Sequence, residues 1–319
     1  MKKLILGLIL LLVGTAGVLY LSPAALVGSM RLVEQQLAGL SSKQLTVGDL
    51  SIHYYEGGPT TAETLLLVHG FGADKDNWLR FARHFTTRYR VIAVDLPGFG
   101  NSDRPRASYD VGTQVERLAT FTQALGIQRL HLVGNSMGGH ISALYAARYP
   151  QQILSLGLFA PSGIHAPHKS ELFTRLENGE PNPLVVRTPE DFEALLDFVF
   201  VEPPALPASV RHYLAERAAG NADHYQAVFE QLVSRYIPLE PELPKIKAPT
   251  LLLWGKQDRV LDASSIEVMQ PLLQRASVVV MEHCGHAPMI ERPKETAAHY
   301  QAFLDAIDPE PEAPRSPQS

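Results

Sequence analysis

From residue 43 onward the chain alternates two patterns of hydrophobic positions. Short runs are almost uniformly Leu, Val and Ile, as in parallel strands buried on both faces. Longer stretches repeat apolar residues every three or four positions, as amphipathic helices do. The alternation predicts an α/β fold with a mostly parallel central sheet covered by helices on both faces. Six runs are predicted to be buried strands: Thr64–Val68, Tyr89–Val94, Arg129–Val133, Ile153–Phe159, Thr250–Trp254 and Ser277–Met281.

Two further segments complete this sheet domain. A β-hairpin is predicted at Lys43–Gly57, and residues 164–243 carry several helical patterns without a convincing strand. The clearest helix begins at Thr188, a favourable N-cap that is followed by proline and two acidic residues; a second is predicted from Asn221. We interpret 164–243 as a helical cap inserted into a core formed by residues 43–163 and 244–306.

The N-terminus adds a candidate membrane segment. Lys2 and Lys3 precede the uncharged stretch Leu4–Leu21, which as a helix would rise about 27 Å, close to the thickness of a bilayer core. We expect residues 1–25 to form a transmembrane anchor, and a cleaved signal peptide is the alternative. In either case the two lysines keep the N-terminus in the cytoplasm and place the domain that follows across the bacterial inner membrane, in the periplasm.

A stripe of apolar residues follows the candidate anchor. Its spacing of three and four predicts an amphipathic juxtamembrane helix over residues 26–42. This helix either packs on the sheet domain or forms the seam of a homodimer, and the sequence leaves both open. Residues 307–319 are rich in proline and acid, which predicts a disordered tail. The stripe consists of Leu26, Met30, Val33, Leu37 and Leu40.

Composition narrows the possible partners. The formal net charge is −5 and 45% of residues are hydrophobic, and no basic cluster interleaved with aromatics occurs, so nucleic acid is excluded as a partner. Cys284 is the single cysteine, which rules out an intramolecular disulfide.

The hexapeptide Gly134–Gly139 (GNSMGG) carries the strongest chemical signal. It follows a predicted strand and precedes a helical run from Ile141 to Arg148. A serine at such a sharp strand-to-helix turn needs strained backbone angles, and glycines two residues on either side leave room for them. Ser136 is therefore the predicted nucleophile.

A second glycine-rich turn, His69–Gly72 (HGFG), follows the strand Thr64–Val68. Acyl transfer requires preorganised backbone donors for the tetrahedral oxyanion. We predict that the N–H groups of Phe71 and Met137 form this oxyanion hole, and that His69 holds the loop in shape. A tight glycine turn around a buried histidine is the alternative.

The acid and the base are predicted at two later strand ends. Asp258 follows the strand that ends at Trp254, and α/β sheets place their sites at the carboxyl ends of strands. Asp262 and Asp95 compete for this role, but Asp95 lies early in the chain and is expected to fix a loop beside the pocket.

The base follows the last strand, where His283 and His286 are both available. We predict His286 as the base and a structural role for His283. The resulting chain order Ser, Asp, His is typical of one serine-hydrolase fold. Cys284 is interpreted as a small buried residue, since it lacks a nucleophile turn.

Five motifs together resemble the α/β-hydrolase superfamily over roughly residues 43–306: HGFG, VDLPGFG, GNSMGG, LLLWGKQDRV and CGHAPMIERP. More narrowly, the chain is similar to bacterial family V lipases and to membrane-anchored lipase and phospholipase A proteins. The resemblance implies hydrolysis of carboxylic esters by Ser136, His286 and Asp258, with no metal and no organic cofactor.

Two other functions remain open. The GNSMGG motif also occurs in C–C bond hydrolases of this fold, and a catalytically inactive, membrane-bound binding module is a third possibility. An enzyme held at a bilayer meets acyl glycerides and phospholipids at high local concentration, so we expect a lipolytic enzyme that acts on acyl esters of membrane lipids.

Overall fold

The computed structural model of the chain describes residues 22–307, and their centre is an eight-stranded sheet. Its strand order is β1-β2-β4-β3-β5-β6-β7-β8; β1 and β2 run antiparallel to their neighbours, and all other neighbours are parallel. The predicted hairpin and all six predicted strands are present. Five of the six are buried as predicted, but the prediction of burial is wrong for the last one, because β8 forms an edge of the sheet and its residues Ser277 and Val280 are exposed. The strands are β1 (Leu40–Val47), β2 (Leu50–Gly57), β3 (Thr64–Val68), β4 (Arg90–Val94), β5 (Leu130–Asn135), β6 (Ile153–Phe159), β7 (Thr250–Gly255) and β8 (Ala276–Met281).

The sheet separates two hydrophobic cores. In β3 every residue is buried, and alternate side chains point to opposite faces. Leu66 and Val68 join one core, whereas Leu65 and Leu67 join the other. This explains why the central strands are uniformly apolar and do not alternate with polar residues.

Eleven α-helices are found within residues 22–307, and they cover both faces of the sheet. Four of them lie in succession between β6 and β7, and no strand interrupts them in this described stretch. The helices are α1 (Pro23–Leu37), α2 (Leu79–Ala82), α3 (Val111–Ala124), α4 (Met137–Arg148), α5 (Glu171–Glu177), α6 (Pro189–Val199), α7 (Ala208–Ala219), α8 (Ala222–Ser234), α9 (Ser265–Leu272), α10 (Pro288–Glu291) and α11 (Pro293–Ile307).

The helix predicted from Thr188 is confirmed as α6. The Thr188 side chain accepts a hydrogen bond from the Asp191 N–H, and the Asp191 carboxylate accepts one from the Thr188 N–H, which together form a capping box. Phe192 and Leu196 are buried on one face of this helix. Helix α8 confirms the second prediction, although it begins one residue after Asn221.

The prediction of a helix over residues 26–42 is wrong at its C-terminal end. Helix α1 ends at Leu37, and Gly39 turns the chain at a φ of +63° into β1. Leu40 is therefore a buried strand residue, 5% exposed, that packs in the core under the sheet. Val33 and Leu37, by contrast, are 53% and 63% exposed.

Helix α1 also packs against the cap helix α7, against β1 and against α2. None of the helices within residues 22–307 is long and apolar enough to cross a bilayer. The predicted anchor falls almost entirely on residues 1–21, and the predicted tail on 308–319, which lie outside the described residues.

Candidate active site

Ser136 occupies a sharp turn between β5 and α4. Its backbone lies at φ 57° and ψ −121°, a conformation that costs a non-glycine residue about 1–3 kcal/mol and is concentrated at functional sites. The turn is held by hydrogen bonds from the Ser136 N–H to the Phe159 carbonyl, at 3.0 Å, and from the His140 N–H to the Ser136 carbonyl, at 3.0 Å. The strain predicted from the sequence is therefore present.

The glycines around this turn are required by close backbone contacts. A Cβ atom on Gly134 would lie 2.2 Å from the Gly138 carbonyl oxygen, and one on Gly138 would lie 2.3 Å from the Val68 carbonyl oxygen. Both distances are shorter than any tolerable contact. A Cβ on Gly70, in the loop after β3, would lie 3.0 Å from Ser136 Cβ, so this loop passes directly beside the serine.

The structure brings the predicted base and acid together. His286 Nδ1 lies 2.8 Å from Asp258 Oδ2, and both side chains are almost completely buried. The other carboxylate oxygen, Oδ1, accepts hydrogen bonds from the N–H groups of Val260 and Leu261 at 2.8 and 2.9 Å. Asp258 is thus fixed as an acceptor, so the Nδ1–H of His286 donates to it and leaves Nε2 free to accept a proton.

Ser136 and His286 line the same cavity, which has a volume of about 290 Å³. The loop after β3 contributes one wall, including Phe71, and the cap contributes most of the remaining apolar surface. Among the lining residues none is Lys or Arg. The apolar cap residues that line this cavity are Leu184, Val186, Leu195, Leu196, Val199, Phe200 and Ala218.

Comparisons with known proteins agree with this architecture. A family model described as the alpha/beta hydrolase fold matches residues 63–293. The chain belongs to the α/β-hydrolase family. Lipase 3 of Moraxella sp. (strain TA144) is 38% identical over 281 residues, which cover 86% of this chain and 88% of that lipase. Monoacylglycerol lipase abhd6-B of Xenopus laevis is 32% identical over 298 residues, which cover 89% and 88% of the two chains.

A solved structure of a membrane phospholipase A, a bacterial virulence factor, superposes on this α/β-hydrolase with a TM-score of 0.90. The two chains are 64% identical, and the match covers 97% of this chain and 100% of the other. With relatives of this kind, the α/β-hydrolase is a carboxylic-ester hydrolase of the lipase type.

Two backbone donors lie beside Ser136 in this hydrolase, Phe71 in the loop after β3 and Met137 at the start of α4. Within the described residues, neither the Phe71 N–H nor the Met137 N–H has a protein acceptor. Met137 is the first residue of α4, where a helix leaves its N–H groups unpaired and carries partial positive charge. Both amides are therefore available to a developing oxyanion.

His69 holds that loop in the way predicted. Its Nε2 accepts a hydrogen bond from the Leu96 N–H at 3.0 Å, and its Nδ1–H donates to the Gly70 carbonyl at 2.7 Å. This pattern is that of the neutral imidazole, in agreement with complete burial, which lowers the pKa of His69.

The residues that competed for catalytic roles lie elsewhere. Asp262 caps its own turn by accepting from the Ser264 N–H at 2.9 Å, and Asp95 forms a buried ion pair with Lys75. His283 is exposed at the turn after β8, where its φ is 50°. Burial raises the pKa of the Cys284 thiol to about 12, which keeps it protonated and unreactive.

Sequence reasoning missed Asn135, which joins the nucleophile turn to the loop of the base. Its side-chain Nδ2 donates to the Phe159 carbonyl at 2.9 Å and to the His286 carbonyl at 3.1 Å. The one available signal was its place beside Ser136, because its partner His286 is 151 residues away in the sequence. No group of three potential metal ligands is found within residues 22–307.

Proposed function

We propose that this ester hydrolase cleaves acyl esters of membrane lipids through a Ser136–His286–Asp258 triad. His286 Nε2 takes the proton of Ser136 as the hydroxyl attacks the ester carbonyl. The N–H groups of Phe71 and Met137 hold the oxyanion, and the alcohol leaves with the proton from His286. Water activated by the same imidazole then releases the carboxylic acid.

We infer that the substrate is a neutral ester because the cavity shared by Ser136 and His286 is mainly apolar. No lysine or arginine is among its lining residues. C–C hydrolysis of a diketone acid would favour a basic residue that binds the substrate carboxylate. Residues 164–243 contain five arginines, and none of them, Arg217 included, lines the cavity. Arg235 pairs with Asp110 of the core, and three others pair with acidic cap residues. These pairs are Arg175–Glu171, Arg187–Asp223 and Arg211–Glu193.

The proposal of lipid as the substrate rests on the relatives and on the N-terminus. Lipases and a membrane phospholipase A are among the proteins similar to this chain. The apolar stretch Leu4–Leu21 is long enough to hold the domain at a bilayer, with the domain in the periplasm. We expect a chain lacking residues 1–25 to become soluble, whereas the full chain stays with membranes after a salt wash. Recovery of a mature N-terminus near residue 25 would favour signal cleavage instead.

The exposed apolar residues of α1 could also form the interface of a homodimer. With Leu40 in the sheet, the proposed homodimer seam is reduced to Leu26, Met30, Val33 and Leu37. Chemical crosslinking of the full chain in membranes tests it, with Val33→Glu as the variant expected to abolish the dimer. Crosslinking that is unchanged in this variant would exclude the seam.

The triad itself is tested by paired substitutions. Ser136→Ala should lower kcat for an ester by a factor on the order of 10⁶, and His286→Ala should have an effect of similar size. His283→Ala is the matched control, because His283 lies three residues away but is exposed, and it should keep wild-type activity. Retention of most activity in Ser136→Ala would refute the mechanism, and lack of turnover in the wild type would favour the binding-module alternative. A panel of short esters, triglycerides, phospholipids and lysophospholipids then defines the substrate.

A further inference from the structure

The Glu291 carboxylate, at the end of α10, joins two parts of the chain that are distant in sequence. One oxygen, Oε2, accepts a hydrogen bond from the Gly285 N–H at 2.8 Å. The other, Oε1, accepts from the N–H groups of Val201 and Glu202 at 3.0 and 2.8 Å. Gly285 belongs to the loop of the proposed base, whereas Val201 and Glu202 follow the cap helix α6 after its C-cap residue Phe200. These three donors are backbone groups, and hydrogen bonds to an ionised acceptor are stronger than neutral ones. The Cys284 thiol is a fourth, weaker donor to Oε2, with its sulfur 3.9 Å away.

The same two segments also meet through their backbones. The N–H of His286 donates to the carbonyl of Val199, the last residue of α6, at 2.8 Å. A Cβ atom on Gly285 would lie 2.3 Å from that carbonyl oxygen, so a glycine is required there. The end of the cap helix therefore lies directly against the backbone that carries the base.

This junction also forms part of the catalytic cavity. Val199 and Phe200 line it from the cap, while Ala287 and Ile290 line it from the core. Glu291 binds the backbone on both sides of this junction. It therefore holds the two walls together, in addition to the hydrogen bond from the His286 N–H to the Val199 carbonyl.

We propose that Glu291 is a positioning residue, which holds the loop of His286 in register with Ser136 by fastening it to the end of α6. This inference rests on the proposed function, since it assumes His286 as the base. Only glutamate has both the length and the two acceptor oxygens that this position requires. Glutamine would turn an NH₂ group toward at least one backbone N–H, and aspartate is one methylene too short to reach both segments.

Glu291→Gln and Glu291→Asp are the test variants, and Glu282→Gln is the matched control. Glu282 lies on the same loop, but it pairs with Lys256 at the surface, where the two side chains are 61% and 57% exposed. With a short, soluble ester we expect both Glu291 variants to lose at least tenfold in kcat, since small misplacements of catalytic groups cost up to about 10²-fold. KM should change by less than about threefold, and Glu282→Gln should resemble the wild type.

Two readouts separate positioning from a merely structural role. The kcat is expressed per active site by titration with a fluorophosphonate, so loss of folded protein does not count as loss of activity. The proton shared by His286 and Asp258 should give a downfield NMR signal in the wild type that is shifted or lost in the variants.

The possible outcomes are distinct. A lower unfolding temperature with unchanged kcat per site and an unchanged proton signal in both Glu291 variants would overturn the proposal. Failure of the triad itself would appear differently, as retained activity in Ser136→Ala or absence of fluorophosphonate labelling in the wild type.

Discussion

Two buried charges lie beside the loop after β3, which carries the proposed oxyanion donor Phe71. Lys75 Nζ is 2.6 Å from Asp95 Oδ2, and the side chains are 6% and 0% exposed. Asp95 also accepts from the N–H groups of Lys75 and Asn101 at 2.8 and 2.9 Å, so its negative charge is fully compensated. Asp74, next to Lys75, lines the catalytic cavity, so the pair fixes the loop at the wall of the site.

We therefore predict that Lys75→Met destabilises the protein strongly. It leaves the Asp95 carboxylate buried without its counter-charge, and breaking a buried pair in this way costs about 3–5 kcal/mol. The double variant Lys75→Met/Asp95→Asn should recover part of this loss, because no buried charge is then left unpaired. Urea unfolding measures both, and equal stability of the single and double variants would contradict the account.

His140, in α4 behind the nucleophile turn, predicts a pH dependence of stability. Its Nε2–H donates to the Ile237 carbonyl at 2.8 Å, and burial lowers its pKa to about 4. The ordinary pKa of about 6.5 applies in the unfolded chain, which therefore binds more protons between pH 6.5 and 4. The free energy of unfolding should fall as the pH falls through this window, by at most about 3 kcal/mol from this residue.

His140→Gln tests the contribution of this histidine. Its amide can still donate to the carbonyl of Ile237 but does not titrate. Urea unfolding at several pH values should show a shallower loss of stability between pH 6.5 and 4 in the variant than in the wild type. An identical pH dependence would exclude His140 as a source.

Individual site residues can be predicted from the sequence when the residues next to them in the chain form a recognisable motif. Ser136 is recognisable from glycines two positions away, and His286 and Asp258 from the strands that precede them. Asn135 and Glu291 were missed because each has a partner far along the chain: His286 is 151 residues from Asn135, and Val201 is 90 residues from Glu291. No local pattern encodes such contacts.

Among the elements, the cap helices contact the loop of the proposed acid, Asp258, as well as the loop of the proposed base, His286. Arg259, directly after Asp258, donates from Nε and Nη2 to the two oxygens of Glu171 at 2.6 and 2.8 Å. Its Nη1 donates to the Asp197 carbonyl in α6 at 3.0 Å, and its guanidinium lies 4.8 Å from the centre of the Phe198 ring. The hydrogen bond from Arg259 lowers the pKa of Glu171 to about 2.

Arg259→Gln should therefore loosen the cap. We expect the free energy of unfolding to fall by about 1–2 kcal/mol. The effect is small because the Arg259 side chain is 42% exposed, so solvent screens its charge. Limited proteolysis within residues 164–243 should become faster. The control is Arg187→Gln, whose partner Asp223 is 97% exposed and whose loss should cost less than about 0.5 kcal/mol. Equal proteolysis rates in the two variants would show that Arg259 does not fasten the cap.

Elements with a strong periodic pattern were predictable, and the N-terminal helix was only partly so. Helix α6 has both a capping box and a regular apolar face, so its first residue followed from the sequence. The stripe of α1 continues in register to Leu40, although the helix ends at Leu37. The helix ends before Leu40 because Leu40 pairs with Gly57 where β1 lies beside β2. The helical spacing of apolar residues contains no information about this strand pairing.

For the whole molecule, α1 connects the N-terminus with both the cap and the core. It packs on α7 of the cap, while Arg31 Nε lies 2.5 Å from Asp76 Oδ2 and Glu34 Oε1 lies 2.9 Å from Arg80 Nε. Asp76 also accepts from the Tyr55 hydroxyl at 2.6 Å. These two ion pairs connect α1 to Asp76 and Arg80, which follow β3. Asp74 and Asn77, near Asp76 in this segment, line the cavity.

This arrangement predicts different results for two truncations. Removal of residues 1–25 takes away the apolar stretch but keeps the part of α1 that bears Arg31, so activity on a soluble ester should be retained. Removal of residues 1–38 also takes away the buried Gln35 and Ala38 and leaves Asp76 without its arginine. We expect a lower unfolding temperature and at least a tenfold loss of kcat, since Asn77, beside Asp76, lines the cavity. The unfolding temperature and kcat of Arg31→Ala in the full chain should lie between those of the two truncated chains. If the shorter truncation alone abolished turnover of a soluble ester, or if the longer one left it intact, α1 would not support the site in this way.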